Sequence, residues 1–370
     1  MGISDTATSG WDLVRSRPGT FVVVLLFLAL GLDLLGTLLT GEMAVADLGS
    51  LLWTGLMQGL IIGLAGIGLS MTYSILNFAN FAHGDYITAG AFTGWSVTYL
   101  IAGFGAADAA DLLLLGAGGS VFGAGLDIGI TTTPLAILGG LVVAGLATIA
   151  IAMGVDRSVF KTMREAGGIS LLIASVGVAF ALRYIIVFIY TPSNRGTTAA
   201  NLVPQFDVWV IDGMVQINAH DLTILVASVA LMLGVHVLLQ RTKLGKAMRA
   251  MADNENLALI TGIPTERIIQ WTWIIGGGLT GVAGYLTVLW RGTITFRLGW
   301  FLLLLIFAAV ILGGIGSIYG AILGGVLIGL TISVSQVWIP TDFARAAAFG
   351  IMILILLLRP QGIFAGRETA

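Results

Sequence analysis

Apolar runs of about membrane-spanning length recur along the entire chain, and they constrain its fold more than any other feature. Ten runs can be delimited, at residues 21–40, 51–73, 87–105, 134–154, 169–190, 222–239, 268–290, 300–312, 318–338 and 344–358. A helix of about twenty residues crosses the ~30 Å hydrocarbon core of a bilayer. Only 10% of the residues are charged, whereas a soluble domain carries about 25%. The sequence therefore predicts an all-α integral membrane protein of about ten transmembrane helices, with the short runs 300–312 and 344–358 as candidate broken or re-entrant segments.

Lys and Arg are distributed unevenly between the two sides of these predicted spans. With both termini inside, the inner set is Arg15, Arg17, Arg157, Lys161, Arg164, Arg241, Lys243, Lys246, Arg249, Arg267, Arg359 and Arg367. The outer set is Arg195, Arg291, Arg297 and Arg345. Because cytoplasmic loops are enriched in basic residues, this bias predicts cytoplasmic termini and an even number of spans. The predicted organisation is a tail (1–20), a single membrane domain (21–359) and a second tail (360–370).

A basic loop at residues 240–267 separates the sixth and seventh predicted spans and carries the pattern of a short helix. N-cap and first-turn residues come first, an apolar face follows, and a glycine and a proline end the pattern. In order these residues are Asp253, Asn254, Glu255, Leu257, Ala258, Gly262 and Pro264. We predict a surface helix at about 255–261. A helix of two turns has little stability alone, so it is either an ordinary loop helix or one held by its own domain or a partner.

The sequence NFANFAHGDY at residues 77–86 is polar although it lies directly against apolar flanks. Asn77, Asn80, His83 and Asp85 are costly in lipid and should face protein or water. One interpretation is a broken helix or tight turn at the translocation path or its gate. The other is a cytoplasmic turn that joins the second and third spans, with Asn and Gly as helix caps.

Asp33 and Arg183 are the two charged residues deepest within apolar runs, and both lie about seven residues from the outer end of a predicted span. Their matched depth predicts that they form an intramembrane ion pair or share a polar cavity. Alternatively, each side chain snorkels independently to the surface.

Small residues dominate the sequence GGIGSIYGAILGG at 313–325. It contains a small-xxx-small pattern, which is typical of tight helix packing, although a flexible pore hinge is an alternative. The glycines concerned are Gly313, Gly314, Gly316, Gly320 and Gly324. A span–break–span arrangement occurs at 51–105 and again at 300–338, which suggests an internal repeat.

Several classes of function lack the residues that they need. The chain has no cysteine, its three histidines show no metal spacing, and its net charge of −2 with no basic run argues against nucleic-acid binding. It also lacks a P-loop, since Gln240 and Ala247 replace residues which that pattern requires. We therefore predict no enzymatic activity and no cofactor in this chain, and expect ATP-driven work to be done by another chain.

Four stretches together resemble one family. They are NFAHGD (80–85), RTKLGKAMRAMADNENLALITGI (241–263), VILGGIGSIYGAILGG (310–325) and LLLRPQGIFAG (356–366). On these residues the chain, from about 55 to 366, resembles the H-type permease subunit of branched-chain amino acid ABC importers.

This resemblance implies half of a transmembrane pathway in a prokaryotic plasma membrane. It implies a second related permease, two cytosolic ATPases that bind ATP and Mg²⁺, and an external solute-binding protein as partners. It also implies that residues 249–264, around Ala258-x3-Gly262, dock on an ATPase as a coupling helix. Relatives serve leucine-type amino acids, urea, short amides or other small solutes, so the substrate stays open. The alternatives are a secondary transporter or channel that acts alone, and a structural membrane scaffold.

Overall fold

The computed structural model describes residues 18–105, 126–197 and 203–364. Across these residues the helices are α1 (Pro18–Thr40), α2 (Val45–Leu76), α3 (His83–Ala102), α4 (Pro134–Val155), α5 (Gly168–Tyr190), α6 (Ala219–Arg241), α7 (Lys243–Asp253), α8 (Glu255–Ile260), α9 (Thr265–Arg291), α10 (Leu298–Gly313), α11 (Ile318–Val334) and α12 (Ala344–Leu358). A π-helical turn (Asp156–Phe160) and a 3₁₀ turn (Lys161–Ala166) follow α4, and two 3₁₀ turns (Ser335–Val337, Thr341–Phe343) connect α11 to α12. Arg15, Arg17, Arg367 and residues 106–125 lie outside the described residues.

Seven helices in the described part of the chain are long and apolar enough to cross a membrane. They are α2, α4, α5, α6, α9, α11 and α12, some of them extended by an adjoining turn. The first, third and eighth predicted spans correspond to α1, α3 and α10. With 16 residues, α10 is about 24 Å long and shorter than the hydrocarbon core, whereas α12 reaches spanning length with the turn before it. The predicted all-α integral membrane fold is confirmed.

The long helices α2 and α9 lie at the centre of the bundle, and α5, α6 and α12 lie at its periphery. Over their most apolar windows α2 and α9 are 83% buried, whereas the peripheral three are at most 22% buried. Glycines allow this centre to pack closely: a Cβ at Gly59 of α2 would lie 2.7 Å from Cα of Val326 in α11. A Cβ at Gly329 would likewise overlap the backbone of Gly55 and Gly59. These glycines let two backbones touch, as is typical of membrane interfaces.

Two units of the fold repeat each other in opposite directions. In the first, α2 is followed by an extended segment (77–82) and then by α3; in the second, α9 is followed by residues 292–297 and then by α10. Contacts between the units are reciprocal, since α3 and α4 pack on α9 while α10 and α11 pack on α2. The helix–break–helix arrangements suggested at 51–105 and 300–338 are both present, as α2–α3 and α10–α11, while the reciprocal contacts relate the segments 45–102 and 265–313. The repeat is not obvious in the sequence because only the helix–break–helix geometry is preserved.

Short strands cover the bundle end opposite α8. Strands β2 (Gln205–Val210) and β3 (Gly213–Asn218) form an antiparallel hairpin, and β1 (Arg195–Gly196) pairs with β4 (Thr293–Ile294). At the hairpin turn the carboxylate of Asp212 accepts hydrogen bonds from the backbone N–H groups of Val45 and Ala46, at 2.7 and 3.1 Å. An acidic side chain thus caps the first turn of α2.

Candidate coupling surface and buried polar cluster

The break between α2 and α3 reaches deep into the bundle. Helix α2 ends because Asn77 adopts a left-handed conformation with φ 53°, from which its N–H donates to the Tyr73 carbonyl. After an extended return, Nε2 of His83 hydrogen-bonds the Ala65 carbonyl oxygen at 3.0 Å. Ala65 lies eleven residues before the end of α2, so α3 begins about 16 Å from that end. This depth favours the interpretation as a broken helix, and a role for these residues in translocation or gating stays a prediction.

Polar contacts inside the break hold the returning segment in place. The side-chain oxygen of Asn80 accepts from the N–H of Ala82 at 3.0 Å, and the N–H of Phe81 donates to the Ser175 hydroxyl of α5 at 3.0 Å. The amide nitrogen of Asn80 is buried and has no hydrogen-bond partner among the described residues. Buried polar groups are normally paired, so the unpaired Asn80 amide is unusual. Irregular backbone of this kind is tolerated inside a membrane protein only where protein or water surrounds it.

Asp85, in the first turn of α3, pairs with Arg183 of α5. The guanidinium donates from Nε to Oδ1 at 3.0 Å and from Nη2 to Oδ2 at 2.8 Å, and both side chains are buried. This corrects the expected pairing of Arg183 with Asp33. Asp33 instead accepts a hydrogen bond from the indole N–H of Trp338 at 2.7 Å. Matched depth was an insufficient criterion because α1 packs against α12, whereas α5 packs against α3.

The short helix predicted in the basic loop is present as α8, with well-formed caps at both ends. The side chain of Asn254 accepts from the N–H of Leu257 at 2.9 Å. At the other end the N–H of Gly262 donates to Leu259 and that of Ile263 to Ala258, each at 3.0 Å. With Gly262 at φ 84°, this pattern is a Schellman motif. Asp253, one of the two candidate N-caps, is the last residue of α7, and Pro264 immediately precedes α9.

The surface of α8 is unusually apolar for a helix in a charged loop. Ala258 is buried against the body of the protein, whereas Leu257, Leu259 and Ile260 are 58%, 60% and 82% exposed. Glu255 begins the helix and is also exposed. An exposed apolar cluster with a polar rim is typical of a protein interaction site.

Helix α7, which precedes α8, was not predicted from the sequence. It begins at an N-cap formed by Thr242, whose hydroxyl accepts from the N–H of Gly245 at 3.0 Å. Arg249 lies on α7 and donates to the side-chain oxygen of Gln240 at 3.0 Å. The sequence predicted a role for Arg249 in ATPase coupling. In the structure Arg249 is bound to α6 and does not belong to α8, and its role in coupling stays a prediction. The amphipathic spacing of Leu244, Met248 and Met251 could have revealed this helix.

A cluster of charged side chains, here called the clasp, ties the start of α9 to the α4–α5 connection. Arg164 donates to both carboxylate oxygens of Asp156, at 3.1 and 2.9 Å, and also to Glu266. Lys161 pairs with the other oxygen of Glu266 at 3.1 Å. From the sequence, Lys161 and Arg164 predicted only the orientation of the chain in the membrane. Since Glu266 follows α8 by six residues, the clasp joins the basic loop to the α4–α5 side of the bundle.

Aromatic contacts extend from the clasp to the α2–α3 break. Phe160 stacks on Trp273 of α9 with ring centroids 5.7 Å apart. Its other neighbour is Phe78 in the break, at 5.2 Å. A continuous set of contacts therefore connects the basic loop to the α2–α3 break.

The glycines predicted for helix packing divide into two groups. A Cβ on Gly313 or Gly320 would overlap the backbone of the other, and one on Gly324 would overlap the Ala309 carbonyl, so these three lie at the α10–α11 contact. Gly314 and Gly316 instead form the turn between the helices, at φ 104° and 87°. The small-xxx-small face on α11 begins at Gly320 because Gly316 precedes the helix.

These features define a multi-pass membrane protein with a buried polar cluster and an exposed apolar helix, α8, in its basic loop. A family model for the branched-chain amino acid transport system permease component matches residues 51–356. The chain belongs to this family of ABC importer permease subunits, which confirms the resemblance predicted from its sequence.

Two curated relatives are similar over nearly their full length, and a third over a part of it. The high-affinity branched-chain amino acid transport system permease protein LivH of Escherichia coli (strain K12) is 27% identical over 323 residues, which cover 86% of this chain and 96% of the relative. BraD of Pseudomonas aeruginosa, of the same description, is 29% identical over 317 residues, or 85% and 95% of the two chains. LivM of Escherichia coli is 29% identical over 146 residues, or 38% and 33%. No solved structure matches the chain significantly.

Proposed function

We propose that the protein is one half of a pathway that imports branched-chain amino acids, driven by ATPase subunits that dock on α8. The observation that carries this proposal is the exposed apolar cluster of Leu257, Leu259 and Ile260 on a helix capped at both ends. Family membership and the names of the relatives support the substrate class.

The proposed partners follow from what the chain lacks and from its relatives. ATP and Mg²⁺ are bound by two separate cytosolic ATPases, because the sequence contains no P-loop. A second permease completes the pathway, and the similarity to both LivH and LivM supports a heterodimer of related subunits. An external solute-binding protein delivers the amino acid. The bacterial and archaeal relatives support a prokaryotic plasma membrane as the location.

Motion of the ATPases enters the membrane domain through two connections. Only residues 261–264 separate α8 from α9, so a displacement of α8 also displaces α9, a central helix of the bundle. The clasp conveys the same displacement from Glu266 to Arg164 and Asp156, beside the α4–α5 connection. A packed core transmits such shifts because it deforms little.

The alternative of a secondary transporter that acts alone is disfavoured by the buried charges. Such a transporter needs an acid at mid-membrane that can bind and release a coupling ion. The candidate is Asp85, and Arg183 already neutralises it with two hydrogen bonds. Asp33, the other acid within an apolar run, accepts from Trp338.

The test is to express the full chain with candidate ATPase and second-permease subunits of the same importer class from its own organism, and to reconstitute the complex. Ile260→Glu and Leu257→Glu place charges on the docking surface without disturbing buried side chains. We expect each to weaken ATPase co-purification about thirtyfold, which corresponds to the ~2 kcal/mol of an interface hot spot. Leucine uptake driven by ATP should fall with it.

Ile211→Glu is the matched control, because Ile211 is 92% exposed on the hairpin turn at the opposite end of the bundle. It should leave ATPase co-purification unchanged. Undiminished ATPase binding by both α8 variants, or uptake by the purified chain alone under an ion gradient, would contradict the proposal.

A further inference from the structure

A cleft lies at the bundle end that carries α8, where the ends of α2, α6 and α11 meet α7. Its volume is ≈ 70 Å³. Its walls are apolar and include Met71, Ile75, Leu239 and Met248, whereas Arg249 and other polar groups line the remainder. The proposed transport function uses none of these groups.

A chain of hydrogen bonds builds the polar side of this cleft. Arg249 Nη1 donates to the side-chain oxygen of Gln240 at 3.0 Å, and Gln240 Nε2 donates to the Tyr319 hydroxyl at 3.3 Å. The Tyr319 hydroxyl also hydrogen-bonds Nδ1 of His236 at 2.6 Å. Side chains from α6, α7 and α11 are thereby fixed around one opening. An arginine so held is pre-organised, because less side-chain freedom is lost when it binds an anion.

Helix α7 turns sharply away from α6 beside this opening. Thr242 caps α7 directly after α6 ends, and a Cβ at Gly245 would overlap the backbone of Leu239, so the chain turns sharply at this point. Met248 and Met251 form the buried face of α7, while Lys243 and Lys246 are exposed on its other face. A basic amphipathic helix across the ends of membrane spans is typical of a segment in the bilayer interface.

We propose that this cleft binds an anionic phospholipid, with the phosphate at Arg249 and an acyl chain along the apolar walls. Charge complementarity supports this occupant, since Arg249 lines the cleft and the exposed Lys243 and Lys246 add further positive charge on the same helix. The apolar wall of Met71, Ile75 and Leu239 favours a lipid over free phosphate, which has no apolar part to bury.

The test measures lipid binding to the full-length chain, extracted in detergent with its native partners, by native mass spectrometry with added phosphatidylglycerol or phosphatidylcholine. We expect one phosphatidylglycerol per chain, bound about tenfold more tightly than phosphatidylcholine. Arg249→Gln should weaken phosphatidylglycerol about tenfold, since it removes charge-assisted hydrogen bonds. Arg359→Gln is the matched control, because Arg359 is an exposed arginine that follows α12 near the same bundle end.

A second variant keeps every charge and fills the opening. Ala252 is exposed and lines the cleft, so Ala252→Phe should fold normally and still prevent lipid binding. This variant decides the question if Arg249→Gln fails to fold. Equal affinity for the two lipids, equal losses in Arg249→Gln and Arg359→Gln, retention of the lipid by Ala252→Phe, or displacement of the lipid by inorganic phosphate would each overturn the proposal.

Discussion

Arg183 of α5 donates two hydrogen bonds to the carboxylate of Asp85 in α3 inside the bundle, at 3.0 and 2.8 Å. The guanidinium also lies over the rings of Phe180 and Trp300, 5.3 and 4.7 Å from their centroids. Trp300 belongs to α10, so one side chain contacts α3 and α10 where the two inverted units meet. This contact fixes the peripheral helix α5 to the centre of the fold.

Removing one partner of this salt bridge should destabilise the protein strongly. Arg183→Gln and Asp85→Asn each leave the other charge buried and unpaired, which costs about 3–5 kcal/mol. The double variant should be less destabilised than the sum of the two, as thermal unfolding of the purified protein in detergent will show. Asp33→Asn serves as the control and should cost about 1 kcal/mol, because it weakens only the bond to Trp338. Strong coupling between Asp33 and Arg183 would contradict the assignment.

The contact between α3 and α10 should tolerate no added methyl group. A Cβ at Gly299 would overlap the carbonyl of Gly84, and one at Gly84 would lie 2.8 Å from the carbonyl oxygen of Gly299. Gly299→Ala should therefore cost about 1–3 kcal/mol through overpacking. Gly177→Ala in α5 is the control: a Cβ there meets nothing within 4 Å, and helix propensity predicts a gain of up to ~1 kcal/mol. The free energy of unfolding of the two variants should change in opposite directions, and equal changes would refute this explanation.

The two ends of α8 should respond differently to substitution. Asn254→Ala removes the N-cap bond to Leu257 and should destabilise α8 by about 1 kcal/mol. Gly262→Pro is more severe, since proline fixes φ near −65° and Gly262 requires φ 84°. Hydrogen exchange across residues 255–260 should accelerate in both variants, and ATP hydrolysis should become uncoupled from uptake in Gly262→Pro. Asn256→Ala, within α8, is the control, and faster exchange in that variant would show that capping is not the cause.

Ala258→Arg addresses the packing of α8 on the body of the protein. Ala258 is 2% exposed, so an arginine at this position must displace α8 from the surface on which it packs. We expect membrane insertion to be retained while uptake and ATP hydrolysis become uncoupled. Normal transport by this variant, measured in reconstituted vesicles, would remove the coupling role from α8.

The clasp should affect coupling more than stability. Glu266 is about half exposed, so its ion pairs contribute about 1 kcal/mol or less to folding. Lys161→Glu and Glu266→Lys exchange the charges of an exposed pair, so each should reduce uptake per ATP hydrolysed, and the double charge reversal should restore part of it. Arg157→Glu changes the charge of the same loop at a residue that forms no salt bridge among the described residues, and it should have little effect. Failure of the double variant to recover would exclude a direct Lys161–Glu266 contribution.

Most of the helical framework could be predicted from the sequence because it depends on local patterns. Apolar runs of sufficient length must cross the bilayer as helices, since backbone groups have no water to bind there. The ends of α8 could also be predicted from the sequence, because Asn254, Gly262 and Pro264 act on backbone groups close to them in the chain. Helix α7 and the hairpin at 205–218 were missed, as their patterns are short and lie within polar loops.

Only the tertiary structure decided which distant groups meet. Depth in the membrane suggested Asp33 for Arg183, but helix order around the bundle, which no local pattern encodes, placed Asp85 there instead. The same holds for the contact of Gly84 with Gly299 and for the pairing of Lys161 and Arg164 with Glu266, where the residues are separated by a hundred positions or more. The sequence by itself determined the helices, their approximate lengths and the caps of α8, because hydrophobicity and backbone chemistry act locally. The pairing of charges and the inverted repeat depend on packing, which is a property of the whole chain.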